Sequence, residues 1–120
     1  MILIKTKDYV SEGFSYGDGE IICSVIDQIL ERGDSVTVDF TDIDSYTALF
    51  FKVSLTEHLS SMTKDEYDSR IRVENLSELG DLVYNQCYRT AVKFYSSTPE
   101  EQEMYIQSIR DMMEELGVSE

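Results

Sequence analysis

The stretch that decides the fold is VTVDFTDIDSYTALFF, residues 36–51. Its first five residues alternate apolar and polar side chains and are rich in β-branched residues, which is typical of a half-buried strand. A polar turn follows, in which Asp44 or Ser45 can cap a helix. Apolar side chains then recur at helical spacing and predict a helix over residues 47–59. The segment therefore predicts a strand, a turn and a helix, the unit of α/β folds.

Strands and helices continue to alternate outside this stretch. Upstream, the patterns predict a strand, a loop and an amphipathic helix, at residues 2–4, 6–19 and 20–32. Downstream, they predict an exposed polar loop at residues 60–69 and a short strand at residues 71–73. A helix capped by Ser77 and a last helix from Pro99 to Gly117 follow. The order predicts an α/β fold with a small mixed or mostly parallel sheet and packed helices, in which a fourth strand could lie before Gly19.

The last helix is expected to be an addition to that fold. Residues 1–96 are assigned to the α/β domain and residues 97–120 to a C-terminal amphipathic helix, which starts with the Thr98 cap and a capping box with Glu101. Its apolar stripe consists of Tyr105, Ile109, Met112 and Leu116, widened by Met113. We expect this stripe to pack on the same domain, while a homodimer or the binding of another partner through it remains open.

The chain is strongly acidic, with a net charge of −14 from 24 acidic and ten basic residues. A field of that sign repels phosphates and anionic membranes, so direct binding of nucleic acid is not expected. The acidity can serve solubility alone, or it can engage a basic groove on a partner. There is no apolar run of the ~18 residues that a membrane helix needs, and the start is too short and too polar for a signal peptide. The sequence is therefore expected to be cytoplasmic.

The residues that commonly carry catalysis are few and scattered. His58 falls late in the second predicted helix, is interpreted as an ordinary, partly exposed side chain, and has no neighbour at a triad or zinc spacing. Cys23 and Cys87 lie inside apolar helical patterns and are expected to be buried thiols. The glycines at 13, 17 and 19 form no phosphate-binding motif. We expect no enzymatic activity and no cofactor.

Carboxylates at the end of the central strand are the alternative site. Asp39, Asp42 and Asp44 could hold Mg²⁺ at the carboxyl edge of a sheet and serve an enzyme. Turn formation and capping explain Asp42 and Asp44 with fewer assumptions, because no basic phosphate clamp accompanies them. The acidic run at 65–68 is interpreted as solvated charge, so no metal site is expected.

Residues 36–51 also resemble a bacterial STAS-like domain family of uncharacterised function. In that family a strand ends in Asp-Phe, a short turn follows, and Ser or Thr residues open a helix that begins with Phe. Residues 19–22, Gly-Glu-Ile-Ile, and residues 71–75, Ile-Arg-Val-Glu-Asn, resemble the family at two further points. The likeness covers residues 1–92 and leaves out the last helix.

The resemblance implies a fold related to the anti-sigma-factor antagonists, in which a partner kinase phosphorylates a Ser or Thr at the start of this helix. By position, Thr47 lies nearest that site and Ser45 just before it. The Asp-Ser-Ser/Thr-Gly core of the antagonists is absent, since Ala48 follows Thr47 here. The implied docking surface is the helix start with its preceding turn, which adds Asp42 and Asp44 as candidate partner-binding residues.

The leading hypothesis is thus a non-enzymatic, regulatory protein-interaction module. The resemblance implies a histidine-kinase-type ATPase as its partner. The alternative is a small acidic inhibitor of phage type, an anti-defence or anti-CRISPR protein that mimics nucleic acid and blocks the groove of a basic nucleic-acid-binding protein.

Overall fold

The computed structural model describes residues 1–11 and 15–117. They form, in chain order, β1 (Ile2–Lys5), α1 (Tyr16–Glu31), β2 (Val36–Asp39), α2 (Ala48–Ser54), α3 (Lys64–Arg70), β3 (Ile71–Glu74), α4 (Glu78–Tyr95) and α5 (Pro99–Glu115). Short 3₁₀ segments occupy Thr6–Asp8 and Thr56–Ser60. The order confirms the predicted α/β class with an additional C-terminal helix.

The sheet is parallel throughout the described residues. Its strand order is β1-β2-β3, and Val38 of the central strand is paired with Ile4 on one side and Val73 on the other. Parallel neighbours need crossover connections, which α1 provides before β2, and α2 and α3 before β3. A fourth strand before Gly19 does not occur in the part of the chain that is described.

The first helix begins earlier than predicted. Residues 16–19, assigned to a loop because of Gly17 and Gly19, form the first turn of α1. The side chain of Ser15 accepts a hydrogen bond from the backbone N–H of Asp18 at 3.0 Å, which satisfies an otherwise unpaired donor at the helix start. This cap outweighs the low helix propensity of the two glycines.

The second predicted helix is divided in two. Its cap is Thr47, not Asp44 or Ser45, and α2 ends at Ser54 before the 3₁₀ segment Thr56–Ser60. The hydroxyl of Ser54 donates to the carbonyl of Phe50 at 2.7 Å, a bond that favours bending of a helix.

The region predicted as a polar loop contains a helix. Thr63 and Glu66 form a capping box at the start of α3. Tyr67, assigned to solvated charge, is buried, and its hydroxyl lies 2.7 Å from that of Tyr84 in α4. The prediction was wrong because the capping box outweighs the polar composition of the segment.

One continuous apolar core joins the sheet to α1, α2 and the partly buried face of α4. The residues with the largest fully buried side chains are Ile22, Ile26, Val36, Val38, Phe40, Phe50, Phe51, Leu55 and Tyr67. Burying each is worth about 1.5–3 kcal/mol. Residues 36–51 contribute five of these nine, so the stretch that decides the fold also supplies most of its centre.

The last helix begins and ends where the sequence predicts. The hydroxyl of Thr98 accepts from the backbone N–H of Glu101 at 3.1 Å, Pro99 is the first helical residue, and Gly117 follows with φ +73°. The capping box is incomplete, because the Glu101 side chain bonds the Thr98 hydroxyl instead of its backbone.

In the described residues, α5 is largely exposed. No residue of α5 is buried, and its stripe faces solvent. A ring contact between Phe94 and Tyr105, with centroids 5.6 Å apart, holds it near the end of α4.

Candidate functional site

The four residues predicted to bind a partner lie together in the loop between β2 and α2. Asp42 and Asp44 are exposed, and Asp42 adopts φ +65°, a conformation that Asp tolerates better than most residues. Ser45 and Thr47 are half-buried. The Thr47 hydroxyl accepts from the backbone N–H of Phe50 at 3.1 Å, so it stabilises the start of α2.

Asp39 shapes the end of the central strand. Its Oδ1 accepts from the Thr41 backbone at 2.9 Å, the Thr41 hydroxyl at 2.7 Å and Asn75 Nδ2 at 3.0 Å. The bond from the Thr41 side chain, followed by the one from Asn75, lowers the pKa of Asp39. In the described residues, Asp39, Asp42 and Asp44 do not converge into a group of metal ligands.

A second cluster joins α1 to the 3₁₀ segment and involves His58. The prediction that His58 is partly exposed was wrong, because it is only 6% exposed. Its Nδ1 lies 3.3 Å from Asp27 Oδ1, and its Nε2 lies 3.7 Å from Cys23 Sγ. Cys23 Sγ is also 3.8 Å from Asp27 Oδ2. Cys23 and Asp27 are one turn apart on α1, so both present their side chains to the same histidine.

The imidazole of His58 lies between the thiol of Cys23 and the carboxylate of Asp27. Enzymes with a cysteine nucleophile use the same arrangement, in which the histidine is the base and the acid orients it. The electrostatics here oppose that use. Burial, and then the charges of Asp27 and Glu57, raise the pKa of Cys23 to about 11, which keeps the thiol protonated near neutral pH. Burial also lowers the pKa of His58, although Asp27 acts in the opposite direction. Both cysteines are half-buried thiols, less buried than expected.

Sequence reasoning missed this cluster for a simple reason. His58 stands 31 positions after Asp27, and only the packing of α1 beside the end of α2 brings them together. The i, i+4 spacing of Cys23 and Asp27 is a visible signal, but it is too common to indicate a site by itself.

Several large apolar side chains are exposed on and directly after α5. We call Tyr105, Ile109, Met112, Met113 and Leu116 the α5 apolar face. Their exposed fractions run from 38% for Ile109 to 72% for Leu116. The rest of α5 carries six acidic residues and one basic residue. No described helix is long and apolar enough to cross a membrane.

The helical crossovers on a small parallel sheet make the described residues an α/β domain. The chain belongs to the family described as the STAS-like domain of unknown function (DUF4325), whose family model matches residues 18–81. No curated protein and no solved structure matches the chain. The family match confirms the resemblance of residues 36–51, over a shorter range than the expected residues 1–92. It contains the loop with Thr47 and the Cys23–Asp27–His58 cluster, and it excludes α5.

Proposed function

We propose that the protein is a non-enzymatic, regulatory interaction module that binds a protein partner through the α5 apolar face. The observation that carries this proposal is the exposure of that face on a helix with regular amphipathic spacing. Contiguous exposed apolar surface is uncommon on soluble domains and marks interaction sites.

The spacing of the α5 apolar face fits binding in a groove. Tyr105, Ile109, Met112 and Leu116 follow one another at four, three and four residues, the anchor pattern of an amphipathic helix in an apolar groove. Methionine side chains adapt to irregular surfaces, which suits Met112 and Met113 for such contacts. Burying one such side chain contributes about 1.5–3 kcal/mol, enough for a few anchors to determine affinity.

Charge selects the kind of partner. The acidic residues of α5 flank an apolar centre, so the complementary surface is an apolar groove with a basic rim. A second copy of this chain fits less well, because each copy carries −14 and would bring another acidic α5. An anionic membrane is repelled for the same reason. The occupant we propose is therefore a basic protein, and a homodimer is an outcome of the test.

The loop with Asp42, Asp44, Ser45 and Thr47 remains the competing docking surface. Two exposed carboxylates there can contact a basic partner. The likeness to anti-sigma-factor antagonists supports phosphorylation of Thr47 by a histidine-kinase-type ATPase, which would add charge at the surface. The loop presents less exposed apolar surface than α5, and for that reason we place the main contacts on α5.

The alternative of an acidic inhibitor rests on the net charge of −14. A nucleic-acid mimic would occupy a basic groove through its carboxylates, and its affinity would fall steeply with salt. Binding through the α5 apolar face depends on salt less and on apolar side chains more. The two functions therefore respond differently to Met112→Ser.

The test begins with partners captured from a lysate of the source organism and then purified. Affinity is measured by calorimetry for the wild type, for Met112→Ser and for the matched control Met104→Ser. Met104 is at least as exposed as Met112 but lies outside the α5 apolar face. We expect Met112→Ser to weaken binding at least tenfold, roughly the loss of one buried Met, and Met104→Ser to change it less than about twofold.

Three results would contradict the proposal. Equal effects of the two Met variants would show that α5 is not the contact surface. Loss of binding in Thr47→Glu, with no effect of Met112→Ser, would show that the partner binds at the start of α2. A dimer of the free wild type in sedimentation, converted to a monomer by Met112→Ser, would identify a second copy as the occupant.

A further inference from the structure

We infer that Cys23, Asp27 and His58 form a Zn²⁺-binding site that links α1 to the 3₁₀ segment Thr56–Ser60. The site lies within the family-matched residues and does not involve the α5 apolar face. It is therefore independent of the proposed function.

The distances between the three side chains suit a tetrahedral zinc ion. With Zn–S near 2.3 Å and Zn–N near 2.0–2.1 Å, tetrahedral angles place sulfur and nitrogen about 3.5–3.6 Å apart. Cys23 Sγ lies 3.7 Å from His58 Nε2 and 3.8 Å from Asp27 Oδ2. One ligand atom from each residue lies within 4.8 Å of the others. Closing the longest separation requires a shift of at most about 1.4 Å, which the half-exposed Asp27 side chain can provide.

The surroundings of the imidazole favour a cation. Nδ1 faces the Asp27 carboxylate, and Nε2 lies 3.1 Å from the carbonyl oxygen of Ser54 as well as near Cys23. In the metal-free protein the Cys23 thiol can donate to Nε2, whose lone pair is then directed at the sulfur. A metal ion bound to Nε2 and Sγ takes the place of that proton.

The ligand types and charges select zinc. Thiolate and imidazole ligands suit Zn²⁺, whereas Mg²⁺ and Ca²⁺ require oxygen ligands. One thiolate, one carboxylate and one neutral imidazole balance the charge of Zn²⁺, and Glu20 and Glu57 add negative potential at Cys23. Binding replaces the S–H proton of Cys23 with a Zn–S bond and releases that proton to solvent. Three protein ligands leave a fourth position, on the exposed Asp27 side, for water.

The test is titration of the metal-free full chain with Co²⁺ and then with Zn²⁺. We expect one Co²⁺ per chain, with the visible bands of a tetrahedral ion and a near-ultraviolet thiolate-to-cobalt band, and displacement by Zn²⁺. Cys23→Ser should remove the thiolate band. Asp27→Asn, a change at a half-exposed side chain that should leave the fold intact, should weaken Zn²⁺ binding at least about tenfold.

The matched control is Cys87→Ser, which removes the other thiol and should leave both spectrum and affinity unchanged. Thermal unfolding provides a second readout, since Zn²⁺ should raise the Tm of the wild type and of Cys87→Ser but not of Cys23→Ser. The inference is overturned if the wild type binds no stoichiometric Co²⁺ or Zn²⁺. It is also overturned if the thiolate band survives in Cys23→Ser, or if Asp27→Asn binds Zn²⁺ as tightly as the wild type does.

Discussion

Replacing Gly19 with alanine tests the close approach of α1 and α2. A Cβ at Gly19 would lie 3.0 Å from Val53 Cβ and 3.3 Å from the carbonyl oxygen of Phe50. Both atoms belong to α2 and are fixed to its backbone, so no change of rotamer relieves the contact. Gly17, two residues earlier in α1, provides a matched control, because among residues 1–11 and 15–117 a Cβ there meets only Ser15 Oγ, at 3.8 Å.

Two opposing effects determine the outcome. Alanine in a helix gains up to about 1 kcal/mol over glycine. Carbon atoms in contact prefer about 3.5–4.0 Å, so α1 and α2 must separate by about 0.5–1 Å around Gly19→Ala. Overpacking of this kind costs about 1–3 kcal/mol. We therefore expect Gly19→Ala to lower the free energy of unfolding by about 0.5–2 kcal/mol, while Gly17→Ala raises it by up to about 1 kcal/mol.

Urea unfolding followed by circular dichroism measures both changes under one set of conditions. Equal m-values for the two variants would show that only native stability has changed. If Gly19→Ala proves as stable as Gly17→Ala, α1 and α2 are not in van der Waals contact at this point and the packing described above is incorrect.

Three further predictions concern buried or bridging polar groups. The hydroxyl of Thr6 is buried without a hydrogen-bond partner in residues 1–11 and 15–117. Thr6→Val should therefore raise the free energy of unfolding by about 1–2 kcal/mol in urea titrations. A decrease would show that the hydroxyl does make a hydrogen bond. Tyr67→Phe removes the bond to Tyr84 and should cost about 0.5–1.5 kcal/mol by the same assay, with no loss if that bond does not form. Asn75→Gly deletes the bond to Asp39 and keeps a residue that tolerates the positive φ at this position. The pKa of Asp39, measured by NMR, should therefore rise toward 3.8. An unchanged pKa would mean that the bond is absent.

The central part of the fold could be predicted because its local signals agree with one another. Residues 36–40 alternate as a strand and lie at the centre of the sheet, and the Ser77 and Thr98 caps start α4 and α5 as expected. In each case a cap or turn residue stands next to a periodic apolar pattern. When the local preference of a segment agrees with its place in the fold, its secondary structure can be predicted from the sequence.

Two features could not be predicted because they depend on contacts distant in sequence. Tyr67 lies in a polar segment and becomes buried only when α4 packs over α3 through Tyr84. His58 is buried only because α1 brings Cys23 and Asp27 beside it. The charged residues around Tyr67, and the lack of a triad or zinc spacing around His58, favoured exposure, and tertiary packing overrode both expectations.

The exposure of α5 was missed for a different reason. The apolar stripe was identified correctly, and packing on the same chain was favoured over packing on a second copy or on another partner. Apolar surface can equally be covered by a partner, and sequence alone does not distinguish the two. The exposure of the α5 apolar face is thus the structural observation on which the proposed partner binding rests.

Hydrogen–deuterium exchange of the free protein and of the complex with its purified partner tests the central claim most directly. Amides of α5 should exchange fast in the free chain, because no residue of this helix is buried, and partner binding should slow them. Amides in residues 42–49 should change little. Protection of residues 42–49 with unchanged exchange over residues 99–115 would contradict the account and assign partner binding to the start of α2.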